Sequence, residues 1–339
     1  MSFLNKGIFI IVIYSKICLI WQENFFDKGV FIFYQREKGK IYGKTQKRQR
    51  HNRLADSGQA AGYRFNSGGE FGAKKNGHCG TLDPFATGVL PIAFGEATKL
   101  IPQVTDGRKI YEFIVQWGAA TNTGDSEGEV CACNGKIPTK EEILRVLPEF
   151  VGEIIQVPPA YSAIKINGQR AYALARAGQE VEMPERIVEI YALELLEELP
   201  DGLARLRVEC SKGTYVRTLG QDLALRLGTV GHLRELRRLK CGNFAIEDAI
   251  KLENLKNMVH SEAPERILLP LITSLRDIAV IAVTEADAAK LAKGQSVSPR
   301  SYDVSLLVGK EAMAVCGDKA AALVRIDERR IAPVRVFNY

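Results

Sequence analysis

The sequence predicts an α+β protein, because strand and helix patterns follow one another along the chain at irregular intervals. Residues 111–117 alternate Tyr, Phe, Val and Trp with Glu, Ile and Gln, which is typical of a strand with one strongly buried face. Residues 205–210 repeat this alternation. One helix pattern lies between these two strands and a second follows them, so a doubly wound sheet is not indicated.

Both helix patterns carry their own boundary signals. Thr139 and Glu142 form a capping-box pattern before an apolar stripe that ends near Pro148. The second helix is expected over 218–227, where leucines recur every four residues and Gly228 supplies a stop signal.

A second domain is expected near the C-terminus. The length of 339 residues predicts about two domains. The composition shifts after a polar stretch at 260–265. Further along the chain, a helix is expected over 284–293. Short apolar runs follow at 305–308, 313–315 and 321–326, so we expect this region to be a small β-rich domain.

The composition excludes several classes of protein. A hydrophobic fraction of 46% with 25% charged residues describes a globular chain, and neither a disordered nor a collagen-like nor a membrane-embedded one. The apolar run at 8–21 is interrupted by Ser15 and Lys16 and is shorter than a membrane-spanning helix requires. No charged segment and cleavage site frame it as a signal peptide, so a cytoplasmic protein is expected.

The positive charge is concentrated at the N-terminus. Residues 1–53 hold 11 Lys or Arg against 3 Asp or Glu and so carry a net charge of +8. The whole chain has a net charge of +6, so residues 54–339 together carry −2. Bulk charge therefore does not argue for a nucleic-acid partner, and an RNA surface would have to come from local clusters.

Cysteine and histidine spacing gives no sign of a metal site. The seven cysteines are odd in number and lack a CxxC pair, which argues against a disulfide scaffold or zinc ribbon and favours a reducing compartment. Cys131 and Cys133 are too close together and too isolated, and His51, His232 and His260 have no ligand-spaced partners. We expect neither a metal nor a cofactor.

The densest chemical segment is residues 77–91, which read GHCGTLDPFATGVLP. Pro84 biases Asp83 toward extended geometry, and the glycines permit close backbone approach, so the carboxylate would sit on a rigid loop. Taken alone, the composition favours an Asp-Pro turn with a local hydrogen bond over a catalytic role.

A second segment, residues 210–219, leaves a predicted strand and enters a predicted helix with the sequence CSKGTYVRTL. Arg217 would stand in the first turn of that helix. Taken alone, Arg217 is best interpreted as a surface or interdomain ion pair, and Tyr215 as a core aromatic residue with its hydroxyl at the edge.

Together these segments resemble the bacterial TruB-type tRNA pseudouridine synthases, which isomerise uridine 55 in the T loop. The resemblance also covers residues 108–128, 156–178 and 233–244, in the family's order. It implies a catalytic domain over 71–255 with a mixed, mainly antiparallel sheet. It also implies a small PUA-like RNA-binding domain over 276–339, and a monomer that binds the T stem-loop of tRNA without an obligate protein partner.

Carried over position by position, the resemblance implies that Asp83 is the catalytic aspartate and that Arg217 pairs with it. Tyr111 would stack on the target uracil, Tyr215 would take part in proton transfer, and Leu236 would form an apolar wall of the pocket.

The same resemblance implies contacts to RNA. His78 would contact the flipped T-loop nucleotides, and Lys109 would be a polar pocket or RNA contact. Seven basic residues are candidates for a surface that faces phosphates: Lys74, Lys75, Lys165, Arg170, Arg176, Arg237 and Arg238.

The implied reaction breaks an N–C glycosidic bond, rotates the uracil and rejoins it through carbon, with no net redox change. The carboxylate must be ionised to act at the sugar C1′, to act at the base or to take the 2′ proton, and a neighbouring Arg favours the ionised form. The sequence leaves these three acts open. A uridine inside a folded tRNA must also be extruded, at a cost of a few kcal/mol.

The N-terminus departs from the family. Members begin with a strand and loop that read approximately GWLILDKPxGxTSxxAV, and nothing like it precedes Phe71 here. When one back-translation of residues 52–70 is advanced by one base, it reads through LDKP and STQAV in the family's order. We therefore interpret residues 1–70 as a non-matching segment that is disordered or translated in the wrong frame, and the gene's nucleotide sequence tests this.

Two alternatives to a standalone synthase follow. A guide-RNA-dependent relative acting on ribosomal RNA would need partner proteins, and activity on bare tRNA transcript distinguishes it. A non-catalytic protein that binds or folds tRNA would be favoured if the altered N-terminus destroyed the active site.

Overall fold

The structure is a computed structural model that describes residues 30–32, 35–36, 75–179, 181–250, 269, 271, 274, 278–317 and 319–337. The strands are β1 (Val30–Ile32), β2 (Gln35–Arg36), β3 (Asn76–His78), β4 (Thr87–Val89), β5 (Ile92–Phe94), β6 (Lys109–Trp117), β7 (Ala119–Thr121), β8 (Val130–Cys133), β9 (Gly152–Gln156), β10 (Lys165–Ile166), β11 (Gln169–Arg170), β12 (Arg186–Leu199), β13 (Leu203–Cys210), β14 (Gly231–Cys241), β15 (Phe244–Ala245), β16 (Ala279–Ala282), β17 (Glu311–Cys316), β18 (Lys319–Ile326) and β19 (Ile331–Val336). The α-helices are α1 (Ile101–Asp106), α2 (Lys140–Val146), α3 (Ala171–Arg176), α4 (Val216–Arg226) and α5 (Glu285–Ala292). Short 3-10 helices lie at Gly95–Leu100, Leu147–Phe150, Ile246–Asp248, Pro299–Ser301 and Ser305–Leu307.

The largest sheet has eight strands, in the order β2-β4-β14-β6-β13-β12-β9, with β15 paired to β14. All its pairs are antiparallel except β4 with β14. The prediction of an α+β fold with a mixed, mainly antiparallel sheet is confirmed. β14 therefore brings residues 231–241 beside both β6 and the loop that leads into β4.

The two strands predicted from alternation lie next to each other in this sheet. β6 and β13 pair in continuous register, with Phe113 opposite Leu206 and Tyr111 opposite Val208. The apolar face of both strands is buried under α4 in one core cluster. Helix α4 begins at Val216, two residues before the predicted start, and ends at Arg226, one residue before the predicted end.

Helix α2 confirms the capping box. The Glu142 backbone N–H donates to the Thr139 hydroxyl at 3.3 Å, and the Thr139 N–H donates to the Glu142 carboxylate at 2.9 Å. These reciprocal bonds satisfy two of the N–H groups that a helix start leaves without intrahelical partners.

The C-terminal region forms a four-stranded sheet in the order β16-β17-β18-β19, with α5 packed on it. The predicted β-rich region is thus present, and the predicted helix over 284–293 is α5. The run at 305–308 was expected as part of this β structure, but Ser305–Leu307 is a 3-10 helix. Leu306 is 86% exposed whereas Leu307 packs against the C-terminal core, so this short run does not present the buried face of a strand.

The C-terminal sheet packs against the segment of residues 95–106. Leu323 and Phe337 are buried in one cluster with Leu100 and Val104 of the 95–106 segment. The Lys99 ammonium donates to the Val336 carbonyl at 2.7 Å and ties the last strand to the same segment.

Two short pieces of the first 70 residues pair with the rest of the chain. β1 lies antiparallel to β5, and β2 lies antiparallel to β4. The interpretation of residues 1–70 as disordered or translated in the wrong frame did not include these two strands. The other residues of this segment up to residue 74 lie outside the described part of the chain. Within the described ranges, no helix is long and apolar enough to cross a membrane.

Gly88 in β4 has a strict steric requirement. Its φ is +102°, and a Cβ there would lie 2.1 Å from the Arg238 carbonyl oxygen, since β4 and β14 pair backbone to backbone. We expect Gly88→Ala to lose about 3 kcal/mol or more of unfolding free energy, because backbone strain and overpacking add. Chemical denaturation measures this. Gly178→Ala has a positive φ of 72° with open space around it, and it should lose only the strain part.

Candidate active site

Asp83 lies in the segment between β3 and β5, hereafter the Asp83 loop (residues 79–91), which includes the short strand β4. The Cys79 N–H donates to the Pro91 carbonyl at 2.8 Å and closes the loop, and the Ala86 N–H donates to the Asp83 carbonyl at 3.0 Å and forms its turn. The turn expected from the Asp-Pro step is therefore present. The carboxylate itself is 28% exposed and is bonded to a distant residue, Arg217.

Arg217 uses all five of its guanidinium N–H groups. Nε and one Nη2–H donate to the two oxygens of Asp83, at 2.9 and 3.0 Å. The other donors bind the Thr123 carbonyl at 2.9 Å, the Asp125 carboxylate at 3.3 Å and the Tyr161 carbonyl at 3.0 Å. The side chain is only 3% exposed, so the surface or interdomain ion pair expected from Arg217 alone is wrong.

A second carboxylate, Asp125, completes this pair and was missed from the sequence. It is 5% exposed and also accepts the Thr123 hydroxyl at 2.7 Å and the Glu127 N–H at 3.0 Å. Two carboxylates and one guanidinium leave one net negative charge. Because Asp125 is buried and Asp83 is partly exposed, the negative charge that solvent or a ligand can reach lies on Asp83.

The segment after β9 supports Arg217 and Tyr215 from the other side. The Tyr215 N–H donates to the Gln156 side-chain oxygen at 3.0 Å, and the Thr218 hydroxyl donates to the Val157 carbonyl at 3.3 Å. These bonds join the start of α4 to the chain that carries Tyr161. The sequence placed 156–178 in the matching region but assigned no role to Gln156.

Two opposing effects set the pKa of Asp83. Burial raises the pKa of this carboxyl above its ordinary value, and the negative charge of Asp125 adds to the rise. Arg217 opposes the rise through charge and hydrogen bonds, and Arg238 opposes it through charge. The balance differs from the sequence-based expectation, in which Arg217 alone set the direction.

Tyr111 and Leu236 lie on neighbouring strands next to the Asp83 loop. Both are buried, at 9% and 5% exposure, in the core cluster that also contains Leu82 and Ala86 of that loop. Burial raises the pKa of the Tyr111 hydroxyl well above its ordinary value, so the ring is neutral. Leu82 and Ala86, on either side of Asp83 in the chain, therefore pack in the same cluster as Tyr111 and Leu236.

Tyr215 caps the start of α4 and is partly buried. Burial raises the pKa of its hydroxyl, Asp83 adds to the rise, and Ser162, Arg186 and Arg217 oppose it. The charges of Asp83 and Arg217 thus both affect the pKa of this hydroxyl, in opposite directions.

His78, at the end of β3, is partly buried. Burial and the charge of Arg238 lower the pKa of its imidazole, which favours the neutral ring at pH 7.

Lys109 differs from its expected role. It is 5% exposed, and its ammonium donates to the carbonyls of Thr105 and Gly107 at the end of α1. A cation there complements the helix dipole, so Lys109 holds the fold and does not reach a pocket or RNA.

The phosphate-facing candidates separate into three groups. Lys75 and Lys165 are exposed, and Arg170 and Arg237 are half-buried. Arg238 is 1% exposed and cannot face a phosphate. Lys74 and the side chain of Arg176 lie outside the described residues.

The raised pKa of Asp83 predicts a pH dependence. If the carboxylate acts in the ionised form, the single-turnover rate declines at pH values below the pKa of Asp83. The acid limb should then begin at a higher pH than the ordinary aspartate value of about 3.9 gives. Because the pKa of Asp83 is raised in the folded protein, the free energy of unfolding should also decrease as pH rises from the ordinary aspartate pKa through the raised one. Rates and denaturation between pH 4 and 8 measure both, and an acid limb at or below the ordinary value contradicts the assignment.

No metal ligand set is visible in the part of the chain that the structure describes. There, no group of three or more His, Cys, Asp or Glu side chains could hold an ion.

Solved structures of other proteins share this fold. A Cbf5-Nop10-Gar1 complex matches with a TM-score of 0.62 and 23% identity, covering 79% of this chain and 78% of that one. An H/ACA RNP bound to a substrate RNA containing 2′-deoxyuridine matches with a TM-score of 0.61 and 21% identity, over the same shares. This chain therefore has the fold seen in these two solved structures.

Sequence comparisons give the family. The model of the TruB family pseudouridylate synthase N-terminal domain matches residues 69–216, and that of the tRNA pseudouridylate synthase B C-terminal domain matches residues 217–276. The chain belongs to the TruB family of pseudouridylate synthases. The match begins at residue 69, close to the boundary at which the sequence starts to resemble the family.

Two curated relatives are similar over most of their length, and both are named tRNA pseudouridine synthase B. The Caulobacter vibrioides protein is 44% identical over 274 residues, 79% of this chain and 88% of that protein. The Bradyrhizobium diazoefficiens protein is 48% identical over 273 residues, 79% of each chain.

Proposed function

We propose that the protein isomerises uridine 55 in the T loop of tRNA to pseudouridine, with Asp83 as the catalytic carboxylate. The observation that carries the proposal is the bidentate Asp83–Arg217 pair, whose carboxylate is partly open to solvent and whose loop packs in the same core cluster as Tyr111. Membership of the TruB family and the name shared by the relatives support tRNA as substrate.

Each residue has a part in this chemistry. The Asp83 carboxylate acts on the uridine at the sugar C1′, at the base or on the 2′ proton. Arg217 is saturated by its five bonds, so it orients Asp83 and has no N–H left for a phosphate. Tyr215 exchanges a proton at its hydroxyl near the pair.

Tyr111 supplies the platform for the extruded uracil. Base–aromatic stacking contributes roughly 1–3 kcal/mol, which offsets an extrusion cost of a few kcal/mol. Leu236 lies in the same cluster and closes the apolar side of the pocket. His78, Lys75 and Arg237 would contact the RNA outside it.

We divide the chain into a catalytic domain at 71–255 and a PUA-like RNA-binding domain at 276–339, acting as a monomer without metal or cofactor. The separate four-stranded sheet from Ala279 to Val336 supports the second unit.

Pseudouridine mapping of a bare T-loop stem-loop transcript tests the function. Incubation with the purified full chain should produce pseudouridine at position 55 and at no other uridine. Activity that requires a guide RNA and partner proteins would instead support the ribosomal RNA alternative. Tight tRNA binding without any pseudouridine would support the non-catalytic RNA-binding alternative.

A further inference from the structure

Arg238 is the largest fully buried side chain in the described part of the chain. It lies on β14, two residues after Leu236, and is 1% exposed. Burying a guanidinium is expensive unless its donors are satisfied. No carboxylate forms an ion pair with Arg238 among the described residues, so something other than a salt bridge holds this cation.

The guanidinium spans the Asp83 loop. Its Nε donates to the Val89 carbonyl at 2.7 Å, after Asp83 in sequence. Its two Nη groups donate to the Thr81 carbonyl at 3.4 Å and the Gly80 carbonyl at 3.1 Å, before Asp83. One rigid planar group thus joins both arms of the loop.

The backbone of Arg238 holds the same loop. Arg238 pairs with Gly88 across the parallel β4–β14 contact, which leaves no room for a Cβ on Gly88. The adjacent Thr87 hydroxyl donates to the Leu236 carbonyl at 3.3 Å. Main chain and side chain of one residue therefore fix the loop at both ends.

The charge of Arg238 also reaches the site. It opposes the rise in the pKa of Asp83 and lowers the pKa of His78, and the Tyr111 hydroxyl contacts its guanidinium. A neutral side chain of similar shape would avoid the cost of burial but could not bind three carbonyls.

We propose that Arg238 is a positioning residue for catalysis, which clamps the two arms of the Asp83 loop and so sets the distance from the Asp83 carboxylate to the target uridine. This inference rests on the proposed function. Arg217 orients the carboxylate group, whereas Arg238 fixes the backbone that carries it.

Arg238→Lys is the direct test, because it keeps the buried positive charge but cannot reach both arms of the loop. We expect the single-turnover rate of pseudouridine formation to fall by about 30- to 100-fold, since a displacement near 1 Å costs this much. The Kd for tRNA should stay within about twofold, since the phosphate contacts lie elsewhere. Rates are measured per tRNA-binding site, so that unfolded protein does not count.

Thr229→Val is the control for a general loss of stability. Thr229 is 2% exposed, and its hydroxyl lies 2.6 Å from the Lys136 carbonyl oxygen, away from the Asp83 loop. It should lower the melting temperature without changing the rate. An equal rate loss in Thr229→Val and Arg238→Lys would overturn the proposal.

A second pair of variants covers the case in which Arg238→Lys does not fold. Gly80 has φ +80°, and a Cβ there would lie 3.4 Å from Arg238 Nη1, whereas Gly294 has φ +79° and nothing within 4 Å. Gly80→Ala and Gly294→Ala therefore carry the same backbone strain. Only Gly80→Ala should lose activity, by about tenfold, because relief of the strain there moves the Gly80 carbonyl that Arg238 binds, whereas the added Cβ makes only an ordinary contact with Nη1. Equal activity in both variants contradicts the proposal.

Hydrogen exchange separates failure of this inference from failure of the proposed function. In Arg238→Lys, or in Gly80→Ala if the first does not fold, the amides of Cys79 and Ala86 should exchange about tenfold faster, with β13 unchanged. This result supports the clamp whatever reaction the protein performs. Unchanged protection of the Asp83 loop rules the clamp out, and a wild-type chain without pseudouridine formation refutes only the function.

Discussion

Replacing Asp83 with Asn is expected to abolish pseudouridine formation, with a rate loss of at least about 1000-fold. The change is nearly isosteric, so the loop keeps its shape, but the amide carries no charge and cannot act as a nucleophile or base. One of the two bonds to Arg217 is also lost, because the new NH₂ group faces a donor. Binding of tRNA should be unchanged, since phosphate contacts dominate affinity.

Single-turnover rates and tRNA titrations of the full chain measure this difference. Asp222→Asn is the matched control, because Asp222 is a half-buried carboxyl on α4 whose pKa is raised by burial alone. That variant should keep the full rate. If Asp83→Asn retained more than a tenth of the wild-type rate, the carboxylate would not carry the chemistry.

Replacing Arg217 with Met is expected to have the largest effect on stability. It leaves Asp83 and Asp125 close together in a buried site without their cation, which typically costs about 3–5 kcal/mol. The pKa of Asp83 should then rise further, because burial and the negative charge of Asp125 still raise it while the opposing charge of Arg217 is gone. Stability should therefore increase more steeply as pH falls than it does in the wild-type protein, where Arg217 opposes the rise in the pKa of Asp83. Activity should be lost along with the geometry of Asp83.

Urea denaturation at pH 5 and pH 7.5 tests this prediction. Arg226→Met, on the same helix, removes an exposed pair with Glu149 and should change stability by less than about 1 kcal/mol. The account would be contradicted if Arg217→Met were as stable as Arg226→Met at pH 7.5.

Local patterns were enough to predict the elements that build the site. The alternation in β6 and the capping box of α2 are properties of neighbouring residues, and both are present in the structure. The pairing of Asp83 with Arg217 joins positions 134 residues apart and was available only through the resemblance to the family. Asp125 carried no local signal of its contact with Arg217, which depends on the tertiary fold.

Two errors could have been avoided by applying strand alternation to charged residues. Lys109 lies two residues before Tyr111, and Arg238 lies two residues after Leu236, so each shares the buried face of its strand. The resemblance implied a polar pocket or RNA contact for Lys109, and Arg238 was expected to face phosphates as one of a set of basic residues. In the structure both donate to backbone carbonyls, which a buried cation needs when no carboxylate is near.

A structure of the protein bound to a T stem-loop RNA tests the central claim most directly. We expect the target uridine to be extruded and stacked on the Tyr111 ring, with an Asp83 oxygen within about 3.5 Å of its ribose C1′, its 2′ hydroxyl or its base. A bound uridine that remains in the RNA stack, or that lies in a pocket not bordered by Asp83, would contradict it.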